Sequence, residues 1–125
     1  MNSLGLLYTQ IGEESLQDLT KNFYLEVNKI PELRSLYPED LEGAERRIYL
    51  FLSQVLGGPQ TYSEERGHPR LRMRHAGFHI DRAAHGAWIS AMRKAVDGVE
   101  IKPEHKETLW GYIEMAAAGL VNQAD

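Results

Sequence analysis

Between positions 44 and 55 the apolar residues Ala44, Ile48, Phe51, Leu52 and Val55 recur at spacings of three and four, while Glu42, Glu45, Arg46 and Gln54 fill the opposite side. That is the period of one helix face; a strand would repeat every second residue. Gly57-Gly58-Pro59 closes the run, since glycine can adopt the left-handed cap and proline cannot continue a helix. The same period appears from about Glu13 to Lys29, where Leu16, Leu19, Phe23, Val27 and Ile30 share a face until Pro31 stops it. Asp81 reads as the N-cap of a third run with Ala84, Trp88, Ala91, Met92, Ala95 and Val96, broken at Asp97-Gly98. A fourth starts near Pro103 and carries Leu109, Tyr112, Ile113, Ala116, Ala117, Leu120 and Val121, with small residues at 116–119 predicting close approach to another helix. No stretch alternates with period two over strand length, and no repeat or low-complexity tract interrupts the pattern. The chain is therefore all-α, with four substantial helices joined by short turns.

The connections are short. Pro31 fits the first position of a single helical turn. Residues 59–68 read as a polar loop with one turn at Ser63–Arg66. Pro69 then starts a short helix through His75 or Ala76, which Gly77 ends.

A length of 125 residues predicts one domain spanning 1–125, because chains usually divide only beyond roughly 250–300 residues. The net charge of −4 argues against nucleic acid as the main partner. With no cysteine, disulfides, thiolate nucleophiles and Cys-ligated zinc or iron–sulfur centres are excluded. The first residues lack the pattern of a signal peptide, and no apolar run reaches membrane-spanning length, so the expected location is the cytoplasm, with no membrane partner.

Against that acidic background, residues 66–80 stand apart. Arg66, Arg70, Arg72 and Arg74 crowd around His75, which lies beside Leu71, Ala76, Phe78 and Ile80. An imidazole among apolar side chains suits a large apolar ligand with a metal at its centre, and guanidiniums suit one that also carries carboxylates. Haem combines both properties. On residues alone, other readings stay open. A lone histidine at a helix end more often faces water. His75 and His79 are spaced for a non-haem metal, but Gly77 intervenes and no acidic residue accompanies them. A cofactor-free helical interaction module would also show these stripes. Tyr24, beside Phe23, reads equally well as a boundary tyrosine with its hydroxyl in water.

The ordered segments FY (23–24), LYPED (36–40), GAERR (43–47), FL (51–52), GGP-TYSE-RGHPRLRMRHA-F (57–78) and Trp88 resemble a truncated haemoglobin of the second group, over about residues 8–122. The continuous run 57–76 is the specific part, because helix packing alone does not require it. The resemblance implies a globin-like two-over-two helical sandwich around haem b. It implies His75 as the proximal iron ligand, with its second ring nitrogen donating to a backbone carbonyl. Phe51, Leu71, Phe78 and Met92 would pack on the macrocycle, and Arg47, Tyr62, Arg74 and Arg66 would answer its propionates. Tyr24, Tyr37, Ala44, Ile48 and Trp88 would form the ligand pocket, where Tyr24, Tyr37 and Trp88 can donate to a partly anionic diatomic ligand. Ala44 is expected to leave an open route at the pocket mouth.

The implied ligands are O2, NO and CO at a five-coordinate or exchangeable iron. NO oxidation with O2, or peroxide reduction, is a plausible extension. The chain carries no flavin or nicotinamide motif, so such turnover implies a separate electron-donor reductase. Val55 and Leu56 stand where the family commonly has tyrosine and tryptophan, and Gly77 replaces a frequent proline. These departures predict a less polar pocket edge and a more mobile segment around His75.

Overall fold

The computed structural model describes residues 4–37, 40–77 and 80–121, and Phe78 and His79 lie outside it. A 3-10 turn at Leu4–Leu6 leads into a short helix, α1 (Leu7–Ile11). In α2 (Glu13–Val27), Glu13 and Glu14 occupy the first turn, where carboxylates oppose the positive end of the helix dipole. Ile30 is extended before Pro31, which opens the single turn α3 (Pro31–Arg34). Asp40 then caps α4 (Leu41–Val55) by accepting from the Glu42 amide at 2.9 Å. Two short helices follow, α5 (Thr61–Arg66) and α6 (Leu71–His75). Asp81 caps α7 (Arg82–Asp97), accepting from the Ala84 amide at 2.9 Å, and Pro103 opens α8 (Pro103–Ala118).

All elements among the described residues are helical. α2 lies against both α4 and α7, and α8 lies against α7, giving one helix pair set over another. The expected stripes form the core: Leu16, Leu19, Phe23 and Val27 of α2 are all 2% exposed or less. They meet Ala91, Met92, Ala95 and Val96 of α7, where two alanines let the helix axes come close. Burying a side chain of this kind contributes about 1.5–3 kcal/mol.

Four sequence expectations change. The N-terminal turn and α1 were not foreseen. They exist because the Tyr8 amide donates to the Leu56 carbonyl at 2.9 Å, which seats the segment on the end of α4. Gly57, at φ 95°, has the Gly5 carbonyl oxygen where a Cβ would stand, and a Cβ on Gly58 would strike the Tyr8 ring. The glycine pair thus ends α4 and also accommodates the N-terminal segment. Val55 and Leu56 belong to this end of α4, and neither reaches the cavity described below. Second, α5 spans Thr61–Arg66, longer than the turn expected at Ser63–Arg66, because Gln54 of α4 holds its start. Third, α6 begins at Leu71 and not at Pro69, since Arg70 adopts a left-handed φ of 43° that no helix start can include. Fourth, α8 ends at Ala118, and Leu120 and Val121 follow its terminal turn.

Candidate functional site

A cavity of about 530 Å³ lies inside the fold, within the usual size range of small-molecule sites. Every described residue that the sequence reading assigned to a ligand or cofactor lines it. Tyr24 comes from α2, and Tyr37 from the turn after α3. Ala44, Arg47, Ile48 and Phe51 come from α4, Tyr62 and Arg66 from α5, Leu71, Arg74 and His75 from α6, and Trp88 and Met92 from α7. Phe78 lies outside the described residues.

One wall is aromatic. Phe23 is fully buried and sets its ring 4.9 Å from Tyr24 and 5.2 Å from Trp88; Tyr24 meets Tyr37 edge-on at 5.5 Å. Tyr24 is 6% exposed, which removes the reading of a boundary tyrosine in water. Burial holds the Tyr24 hydroxyl far above its ordinary pKa, and the neighbouring Tyr37 raises it further. The Tyr37 hydroxyl is pushed up to about 12, chiefly by burial, while the nearby donors of Trp88 and Tyr24 pull the other way. Tyr24, Tyr37 and Trp88 thus stand together on one wall of the cavity. A phenol hydroxyl and an indole N–H can each offer a proton to a ligand.

Facing this set is His75 on α6. Its Nδ1 lies 2.7 Å from the Leu71 carbonyl oxygen. A carbonyl can only accept, so Nδ1 carries a proton; in the neutral ring that leaves the lone pair on Nε2, the form in which imidazole binds a metal. α6 and its neighbour are tied down by polar side chains. Arg46 and Glu65 pair through two bonds of 2.6 and 2.7 Å between α4 and α5. Gln54 donates to the Ser63 hydroxyl at 2.8 Å and accepts from the Ser63 amide at 3.0 Å. Arg74 was expected to answer carboxylates. Its Nε and Nη2 donate to the carbonyls of Pro69, Arg66 and His68 at 2.7, 2.6 and 3.4 Å, with the guanidinium 5.8 Å from the centre of the Tyr62 ring. Arg47 and Arg66 line the cavity as further cations, and Tyr62 is buried against Phe51.

Other wall residues escaped the sequence reading. Tyr112, Ile113, Ala116, Ala117 and Leu120 line the cavity from the end of α8, so the small residues at 116 and 117 make room for contents as well as for a neighbouring helix. Their helical spacing was visible; what the stripe faced was not. His85, one turn before Trp88, also lines the cavity, with a buried Nε2 that has no partner among the described residues. Ala44 is only 6% exposed, and it lines the cavity as inner wall. Among the described residues no group of three or more acidic or imidazole side chains could hold a metal by itself, and no helix is long and apolar enough to cross a membrane.

The bacterial-like globin family model matches residues 6–122. The chain is 43% identical over 123 residues to the group 2 truncated hemoglobin YjbI of Bacillus subtilis, covering 98% of this chain and 93% of the relative. It superposes on the X-ray structure of the truncated oxygen-avid haemoglobin from Bacillus subtilis with a TM-score of 0.90 at 43% identity, over 94% of this chain and 99% of that one. A thermostable hemoglobin from the actinobacterium Thermobifida fusca gives a TM-score of 0.91 at 44% identity, over 94% and 97% of the two chains.

Proposed function

This chain belongs to the bacterial-like globin family, as a group 2 truncated haemoglobin, and we propose that its cavity holds haem b and binds O2 and other diatomic gases. The observation that carries the reading is the bond from His75 Nδ1 to the Leu71 carbonyl, which directs a basic Nε2 toward an otherwise largely apolar cavity. Residues and group fit. The lining supplies one imidazole for the central metal, apolar surface for a flat ring, and Arg47, Arg66 and Tyr62 for acidic substituents. Haem, when bound, supplies the iron at which a gas coordinates reversibly.

The chain's own part lies in the donor set. Tyr24, Tyr37 and Trp88 place three donors on one wall, and ring contacts with Phe23 and between the tyrosines hold that wall in place. A small, partly anionic ligand can accept from these donors. Burial keeps water from competing. Ile48 and Phe51 complete the wall without donors. Such an arrangement favours retention over delivery, in keeping with the "oxygen-avid" description of the Bacillus subtilis relative. It suits chemistry at the pocket, such as NO oxidation with O2 or peroxide reduction supported by a separate reductase, better than transport.

The test is direct. Purified protein is expected to show a strong Soret band, and His75→Ala to lose haem retention. Normal haem ligation and spectra in His75→Ala would overturn the assignment, and protein that takes up no haem at all would leave a cofactor-free helical module. NO consumption measured in the presence of O2 and a reductase then separates reaction from storage.

A further inference from the structure

We propose that Arg74 is a positioning residue for His75: its guanidinium, pinned to the carbonyls of the α5–α6 connection, fixes the direction from which the imidazole addresses the cavity. The inference rests on the reading of His75 as the iron ligand. α6 has five residues, too few to hold a helix by backbone bonds alone. The connection before it is conformationally costly, with Gly67 at φ 79° and Arg70 at φ 43°, the only non-glycine residue of positive φ among those described. Something must keep this connection folded if α6 is to stay in one place.

Arg74 does so from inside the helix. Its Nε reaches the Pro69 carbonyl at 2.7 Å, and its Nη2 reaches those of Arg66 at 2.6 Å and His68 at 3.4 Å. Its backbone amide also donates to the Arg70 carbonyl at 3.0 Å. The guanidinium covers Tyr62, a buried residue of α5. α5, the connection and α6 are thereby joined through one side chain, and His75 is the next residue. A planar fork with five donors can meet carbonyls at three positions, whereas an ammonium is a point charge that cannot span them. Shape and charge can therefore be told apart. If Arg74 served only to neutralise a carboxylate of the cofactor, lysine would replace it.

The experiment compares wild type, Arg74→Lys and His75→Ala, each loaded with haem or with haem dimethyl ester, whose carboxylates are blocked. Arg74→Lys is expected to shift and broaden the iron–histidine stretching band of the ferrous protein. It is also expected to speed haem loss about tenfold, as removal of a few modest hydrogen bonds would, and to do both equally with the ester. An unchanged band, or effects that vanish with the ester, would overturn the proposal and leave Arg74 a carboxylate partner. If His75→Ala keeps normal ligation, the reading of His75 falls and this inference with it. If His75→Ala loses haem while Arg74→Lys matches wild type, only the inference falls. Should Arg74→Lys not fold, hydrogen exchange in the wild-type holoprotein decides. The amides of Gly67 and Arg74 donate to Ser63 and Arg70, and both are expected to be protected. Exchange as fast as in an open loop would overturn the proposal.

Discussion

Tyr24 and Trp88 stand on long helices among buried rings, and Tyr37 packs edge-on against Tyr24; His75 stands on a five-residue helix tied down by polar side chains. The first group is fixed by close packing, where Phe23 at 0% exposure touches two of the three donors' rings. The second is fixed by the Arg46–Glu65 pair, the Gln54–Ser63 bonds and the Arg74 fork, mostly in contact with water. Packed apolar walls resist small displacements, because any gap costs contacts outright. Polar tethers at the surface are individually weak and adjust under solvent competition. The same cavity thus has a stiff donor side and an adjustable imidazole side.

Changes that open the stiff side should be the most expensive. Phe23→Ala is expected to destabilise the protein by about 3–5 kcal/mol, because the ring is fully enclosed and its neighbours cannot collapse into the space. Denaturant unfolding measures this, and a cost below about 1 kcal/mol would mean that the aromatic wall is looser than its burial implies. Next comes alkaline pH. The Tyr37 hydroxyl titrates near 12 in the folded chain against an ordinary value near 10, so the unfolded state gives up its proton first. Stability attributable to this group is complete below about pH 10, falls as pH rises, and stops falling near pH 12. Unfolding curves across that window should show the loss, and Tyr37→Phe should reduce it; identical slopes would place the titration elsewhere. Smaller again is Trp88→Phe, which keeps the packing against Phe23 and removes one donor from the cavity wall. O2 release should quicken about tenfold, the equivalent of roughly 1.4 kcal/mol. An unchanged off-rate would show that the indole N–H does not help to hold the ligand.

Legibility in the sequence follows the same division. The stiff side could be read because helical period marks buried faces: the α2 and α7 stripes appear where expected, and Asp81 caps α7 as read. The pocket residues were recognisable because the run 57–76 keeps an order that packing alone does not demand. What could not be read depends on contacts between distant positions. Nothing local announces that Gly57 and Gly58 seat Gly5 and Tyr8. The tethering by Arg74 could not be read because the left-handed turn at Arg70, which helps bring three carbonyls around it, has no sequence signal in an arginine. His85 passed unnoticed because a single histidine beside an apolar stripe reads as its edge.

The smallest expected effect tests the adjustable side most sharply. Arg46 and Glu65 make a two-bond pair whose side chains are 58% and 41% exposed, and each group favours the charged form of the other. At this exposure the pair should contribute little to stability, and less in high salt. Arg46→Ala should therefore leave the unfolding midpoint almost unchanged while loosening α5 against α4, since Gln54 still holds Ser63. The expected signature is faster hydrogen exchange confined to 61–66, together with a slightly faster haem loss that 1 M salt reproduces in the wild type. If Arg46→Ala instead destabilises the whole chain as much as Phe23→Ala does, the two sides are not mechanically distinct, and the short helices are held by something other than their polar tethers.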